Sequence, residues 1–365
     1  MFNKLIANEN HLEYLKTIAK EYLYSAQAYP RDENNEPKRE YLEYLSLMYD
    51  EEIAKIILEF PILPSSISIK KVAKKLGMDV NELITKLEMH VRRGFVQKLG
   101  NRYSRPSPLL IHDSPFMLQE NLDREDIVEF ARLSREYFDG GYYKTWETSR
   151  RGVPRTRVLT VSEKVEPNHQ VVPMEEVYHI LEQQTDLIVV PCPCRQRKEV
   201  EGIRQCKDKY PIENCILFGA FAKGILEIGD PAVKKITIEE AKKLAEEAAE
   251  LGLVHMSDNF SDESHILCAC CECCCGNLAG LVRFKDNPRA FARANYVSTV
   301  DEDMCVACGT CVDRCMFDAI TIEDYAIISV EQCVGCGLCA VKCPEEAITM
   351  KRMEREVYPA IHKKI

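Results

Sequence analysis

Cysteine is absent from the first 191 positions of this 365-residue chain, and tryptophan occurs only once. No apolar run approaches the roughly 18 residues of a membrane-spanning helix, which excludes such a helix. The opening residues Met1 to Ile6 pass straight into the polar stretch Ala7 to Asn10, without the apolar core of a secretory signal. Arg150 and Arg151 stand far too late for a twin-arginine signal, so a cytoplasmic location is the expectation. Positive charge is in the minority, 48 basic against 58 acidic residues, and the net charge of −10 argues against bulk attraction to nucleic acid. With 46% hydrophobic and 29% charged residues, the composition is that of a globular chain and excludes disordered and fibrous classes.

Two cofactor signatures are also missing. No G-x-G-x-x-G opens a helix after a strand, so a Rossmann site is not supported, and no cysteine trio has the C-x3-C-x2-C spacing of a radical-SAM site. Gly219 and Gly224 have the glycine spacing of a phosphate loop, but Ile225 replaces the required lysine, and a packed helix is the better reading.

What is present is cysteine, 18 in all: four between Cys192 and Cys215, six between Cys268 and Cys275, eight between Cys305 and Cys343. A disulfide framework belongs to short exported chains, so metal-binding thiolates are the better reading. The expected class is a multidomain α+β protein. Residues 1–115 read as helical, 116–296 as a mixed α/β cysteine-rich domain, 297–350 as a metal-binding repeat and 351–365 as a basic tail.

Leu12, Leu15, Ile18, Ala19 and Tyr22 recur at helical spacing, and a second such stretch runs from Tyr41 to Phe60. Within 66–105, Ser68 stands as a cap for a helix ending at Gly77, and Asp79 with Glu82 forms a capping-box pattern opening a second helix. Residues 94–103 read as two strands around a Gly-Asn turn. This order resembles a winged helix-turn-helix domain. Its ten basic and three acidic residues between Ser66 and Pro106 suit a nucleic-acid face. The second helix, however, offers Glu82 and Glu88 with only Lys86, a poor set for reading bases, so docking to protein is preferred. Further on, a helix through Ile127 to Leu133, an aromatic loop from Phe138 to Trp146, a helix from Glu175 to Leu181 and a buried strand from Leu187 to Val190 are expected. Thr237 with Glu240 caps a helix that stops at Gly252, between two cysteine loops.

The C-terminal repeat has a period of 28: Cys305, Cys308, Cys311 and Cys315 map onto Cys333, Cys336, Cys339 and Cys343. A cage of four irons and four sulfides needs four thiolates around an object a few ångströms wide. Three cysteines spaced two apart wrap three irons, and the last cysteine of each motif crosses to the other cage. The assignment is Cys305, Cys308, Cys311 and Cys343 for one cluster, and Cys333, Cys336, Cys339 and Cys315 for the other. Gly309, Gly335 and Gly337 let the backbone approach the sulfurs. The segment resembles a bacterial-type ferredoxin with two [4Fe–4S] clusters, which implies a ferredoxin-like βαβ repeat and one-electron transfer. Met316 departs from the pattern by standing where the first motif would carry proline; Pro344 follows the second. Zinc knuckles are the alternative for such spacing.

The upstream thiols Cys192, Cys194, Cys206, Cys215, Cys268, Cys270, Cys271, Cys273, Cys274 and Cys275 are candidates for at least one additional Fe–S cluster, with zinc or redox-active thiols as alternatives. Arg195 stands ready to offset thiolate charge, and His265 is a secondary ligand candidate. The leading functional expectation is an iron–sulfur electron-transfer protein, its C-terminal clusters exchanging electrons with a middle-domain centre within an anaerobic oxidoreductase system. Redox proteins or oxidoreductase subunits are the expected partners. A redox-sensing winged-helix transcription regulator, and an enzyme reducing a small substrate at the middle centre, are the alternatives. No catalytic residue is assigned.

Overall fold

A computed structural model describes residues 5–24, 28–148, 152–161, 177–259, 264–353 and 355. It divides into two units: residues 1–146, 191–204 and 223–234 form the first, and residues 147–190, 205–222 and 235–365 the second.

The first unit begins with helix Glu9–Glu21, where Asn8 accepts from the His11 amide and Leu15, Ile18 and Ala19 turn inward. The apolar stretch from Tyr41 to Phe60 is two helices rather than one, Arg39–Met48 and Glu51–Ile57. Asp50 causes the break: its carboxylate accepts from the Ile53 amide at 2.9 Å and starts a new helix. Helices Ile69–Leu76 and Val80–Arg92 follow, separated by Gly77 in the left-handed conformation at φ +65°. Asp79 accepts from the amides of Asn81 and Glu82, whereas Ser68 occupies the cap position without a side-chain bond. Strand Arg102–Ser104 lies between Ile67–Ser68 and Gln97–Leu99 in a three-stranded sheet.

Phe138 to Trp146 is helical rather than a loop: a wide turn over Phe138–Tyr142 leads into helix Tyr143–Glu147. Burial of the aromatic rings outweighs the two glycines, and Phe138, Tyr142 and Trp146 close around His112. Helix Pro193–Val200, which carries Cys194, packs against Pro108–Met117 and Arg124–Tyr137. Arg197 fastens it, donating to the His112 carbonyl at 2.8 Å and pairing with Asp113 at 3.1 Å.

The largest sheet has the strand order Thr156–Val158, Val254–Asp258, Ile266–Cys270, Glu213–Leu217, Ile188–Pro191 and Lys234–Lys235, its first four strands in the second unit. Antiparallel register places Met256 opposite Cys268, His255 opposite Ala269 and Val254 opposite Cys270. Side chains alternate across a sheet, so Cys268 and Cys270 share one face with Met256 and Val254. The opposite face meets helices Val177–Glu182 and Ile238–Leu251, with Leu159, Ile180, Ala241, Ala245 and Leu267 in their core. Thr237 and Glu240 form the expected capping box, and Gly252 ends that helix at φ +91°. Glu175 and Glu176, at the start of the expected 175–181 helix, lie outside the described residues.

The C-terminal segment runs strand Tyr296–Val300, helix Thr310–Asp313, strands Ile320–Ile322 and Ala326–Ile328, helix Leu338–Val341 and strand Ile348–Arg352. The first and last strands pair antiparallel, as do the two central ones. Cys270 and Cys275 share a buried cluster with Val334, Leu338 and Met350, so the cysteine-bearing face of the large sheet packs on this segment. Among the described residues, no helix is long and apolar enough to cross a membrane.

Candidate metal centres

Each C-terminal motif forms a tight loop that ends in a short helix. Gly309 and Gly337 begin these helices, each at φ +80°, so the loop reverses while its sulfurs stay on the inside. Two cavities result. Cys305, Cys308, Cys311 and Cys343 line the first, about 330 Å³ of open space, with Ile322 and Ile348 in its wall. Cys315, Cys333, Cys336 and Cys339 line the second, about 310 Å³, with Phe317 and Ile320. Each cavity therefore gathers three thiols from one motif and the last thiol of the other. An all-sulfur donor set of four thiols around an apolar-walled cavity suits an iron–sulfur cage.

The two cavities differ in exposure and charge. Cys308 is exposed, and the Thr310 hydroxyl and amide lower its thiol pKa. Cys336 and Cys339 are shifted upward by burial, Cys339 to about 12, with the Ser298 hydroxyl 3.1 Å from its sulfur pulling the other way. The Ala326 amide donates to Cys305 at 3.4 Å. Such bonds stabilise thiolate charge and the more negative reduced state of a cluster. Arg314 stands beside the second cavity and ties its motif to helix Ile238–Leu251, donating to Ala249 O at 2.5 Å and Glu250 O at 2.8 Å.

The upstream thiols separate into groups. Cys206, Cys271, Cys273 and Cys274 bring their sulfurs within 4.8 Å of one another. Sequence order hides this, because Cys206 lies far from the others along the chain. A turn after Cys206 presents its thiol, its carbonyl accepting from the amides of Lys209 and Tyr210. A second turn folds the run back, with the Cys275 amide donating to the Cys271 carbonyl at 3.3 Å. Cys206, Cys271 and Cys274 are buried. Contacts with the Cys271 and Cys274 thiols lower the Cys273 thiol pKa, while Cys271 and Cys273 push that of Cys274 up.

Cys268 and Cys270 belong to a strand, not a loop, and Cys270 hydrogen-bonds to both Cys268 and Cys275. Cys215 is on the neighbouring strand, one residue before Ile216, which pairs with Leu267. In the other unit Cys192 hydrogen-bonds to Cys194, a contact that with burial raises its pKa, while the buried Arg195 opposes the shift. His265 is engaged by Asp258, at 3.2 Å from Nδ1 and 2.9 Å from its amide.

Ser298, Arg314 and Tyr210 carry no sequence signal as site residues; fold register alone brings them there. The Tyr210 hydroxyl lies 3.4 Å from Glu272 in the middle of the cysteine run. A family model described as a 4Fe-4S dicluster domain matches residues 298–350. Neither curated proteins nor solved structures yield a match to this chain.

Proposed function

We propose that this protein carries single electrons through two C-terminal [4Fe–4S] clusters to or from a metal centre in its cysteine-rich part. The carrying observation is the pair of cavities within the dicluster segment, each lined by three thiols of one motif and one of the other. On this reading Cys305, Cys308, Cys311 and Cys343 hold one cluster, and Cys333, Cys336, Cys339 and Cys315 the other. Each cluster supplies a reversible one-electron couple. The chain's own contribution is to exclude water, hold the sulfurs and direct the Ser298 hydroxyl and Ala326 amide at them.

An order of transfer follows from exposure. Cys308 is exposed, and beside it Met304 and Val306 leave 47% and 61% of their surface open, which suits docking of an external redox partner. Cys333, Cys336 and Cys339 lie on the inner side, with Cys336 against the cluster that contains Cys270 and Cys275. Electrons would then pass from partner to the first-motif cluster, to the second, and on to the middle thiols. This suits a component of an oxidoreductase system. The basic helix-turn-helix unit is read as a protein-docking element, because Lys86 pairs with Glu52 and Glu82, and Arg92 with Glu88. Those pairs spend the positive charge a recognition helix would bring to phosphate.

The test is a reductive titration of the anaerobically purified full chain, followed by electron paramagnetic resonance. Two interacting one-electron centres assigned to residues 298–350 support the reading. Loss of both signals in wild-type protein that still contains its full iron would overturn it.

A further inference from the structure

We propose that Cys206, Cys271, Cys273 and Cys274 bind a single metal ion in a tetrahedral all-thiolate site, of the zinc or mononuclear-iron class, and not an iron–sulfur cage. The proposal rests on the reading that the middle cysteines hold metal, and it names the centre. An iron ion there would take the electron of the proposed route. Zinc, which has no redox chemistry, would make the site structural and end the route at the second C-terminal cluster.

The sulfur spacing decides between the two. An ion that holds four thiolates at about 2.3 Å sets them on a tetrahedron whose edge is about 3.8 Å. The distances here are 3.7 Å between Cys206 and Cys274, 3.9 Å between Cys271 and Cys273, and 3.5 Å between Cys273 and Cys274. All four sulfurs fall within 4.8 Å of one another. A cage of four irons and four sulfides would have to push them apart to enter. The C-terminal quartets, by contrast, are spread around the walls of cavities that they share with apolar side chains.

Local chain geometry explains how one ion can collect these residues. Cys271, Cys273 and Cys274 lie within the turn that the Cys275 amide closes on the Cys271 carbonyl, and Cys206 closes the fourth side from another loop. Cys206, Cys271 and Cys274 are 3%, 1% and 4% exposed and Cys273 is half-buried, so four thiolates would fill the coordination positions of a tetrahedral ion, with solvent reaching only the Cys273 side. That is the arrangement of a structural or simple one-electron site rather than one that takes a substrate. Binding a divalent ion displaces the remaining thiol protons to solvent, and no bond other than metal–sulfur forms.

The experiment compares the anaerobically purified full chain with its Cys273→Ser and Cys274→Ser variants, counting zinc, iron and acid-labile sulfide per chain. The expected result is loss of one metal ion in each variant with sulfide unchanged. Loss of sulfide together with several irons would show a cage and overturn the proposal, and so would unchanged metal in both variants. If the variants fail to fold, X-ray absorption and Mössbauer spectra of the wild-type chain decide. A metal with four sulfurs at about 2.3 Å and no metal neighbour, additional to the cluster irons, supports the site. Only cage iron, with no such ion, overturns it. The C-terminal clusters report separately: their iron, sulfide and reduced signals test the electron-transfer reading whatever happens at Cys273.

Discussion

At the scale of single residues, the second C-terminal cavity depends on a glycine that nothing can replace. Gly335 lies between Cys333 and Cys336 at φ +78°, and a Cβ there would meet the Tyr296 carbonyl at 2.4 Å. Gly309 has the same backbone conformation at φ +80°, but a Cβ there would meet nothing within 4 Å. Gly335→Ala should therefore cost the second-motif cluster, lowering iron from the eight of a two-cage domain toward four, while Gly309→Ala keeps both. Iron and sulfide analysis of the two variants checks this, and equal losses would contradict it. Glu147 supplies a pH signature. Burial raises its carboxyl to about 8, against bonds from the Gly280 amide at 2.5 Å and Asn287 Nδ2 at 2.8 Å. The folded chain keeps this proton where the unfolded chain, near 4.5, has released it. Its stabilising contribution is complete below the unfolded value and disappears as pH rises toward 8. The unfolding free energy from urea titrations should fall across this window, by at most about 1.4 kcal/mol per pH unit for one proton, and Glu147→Gln should flatten the slope. An unchanged slope in the variant would refute the assignment.

Secondary-structure elements position the middle thiols, and here the sequence was only partly legible. The capping box at Thr237 and Glu240 could be read because both of its bonds are local: the Thr237 hydroxyl accepts from the Glu240 amide at 3.2 Å, and Glu240 accepts from the Thr237 amide at 2.8 Å. Thr237→Ala should cost about 1 kcal/mol of stability, read as a lower urea midpoint with unchanged metal content. The strand carrying Cys268 and Cys270 was hidden, since five residues that include two cysteines have neither the β-branched content nor the clean alternation of a strand. Its place comes from pairing with Val254–Asp258, a non-local register. The break at Asp50 was hidden for a related reason, because the apolar period continues across it while a single carboxylate restarts the helix.

For the molecule as a whole, three cysteine groups along the chain become centres of two kinds of legibility. The eight C-terminal cysteines line two cavities in the grouping their spacing led one to expect, because each motif wraps its own loop and the repeat supplies the crossing partner. The quartet of Cys206, Cys271, Cys273 and Cys274 could not, because its members meet only after two loops fold together. Burial of Cys270 and Cys275 beside Val334, Leu338 and Met350 then joins the cysteine-rich sheet to the dicluster segment in one core.

The most direct measurement is a count of iron and acid-labile sulfide in oxygen-free full-length protein, with paramagnetic resonance before and after dithionite. The account predicts at least eight irons and eight sulfides per chain, a brown protein, and spin-coupled signals that appear on reduction. A colourless chain that carries zinc in place of iron, silent after dithionite, would contradict it.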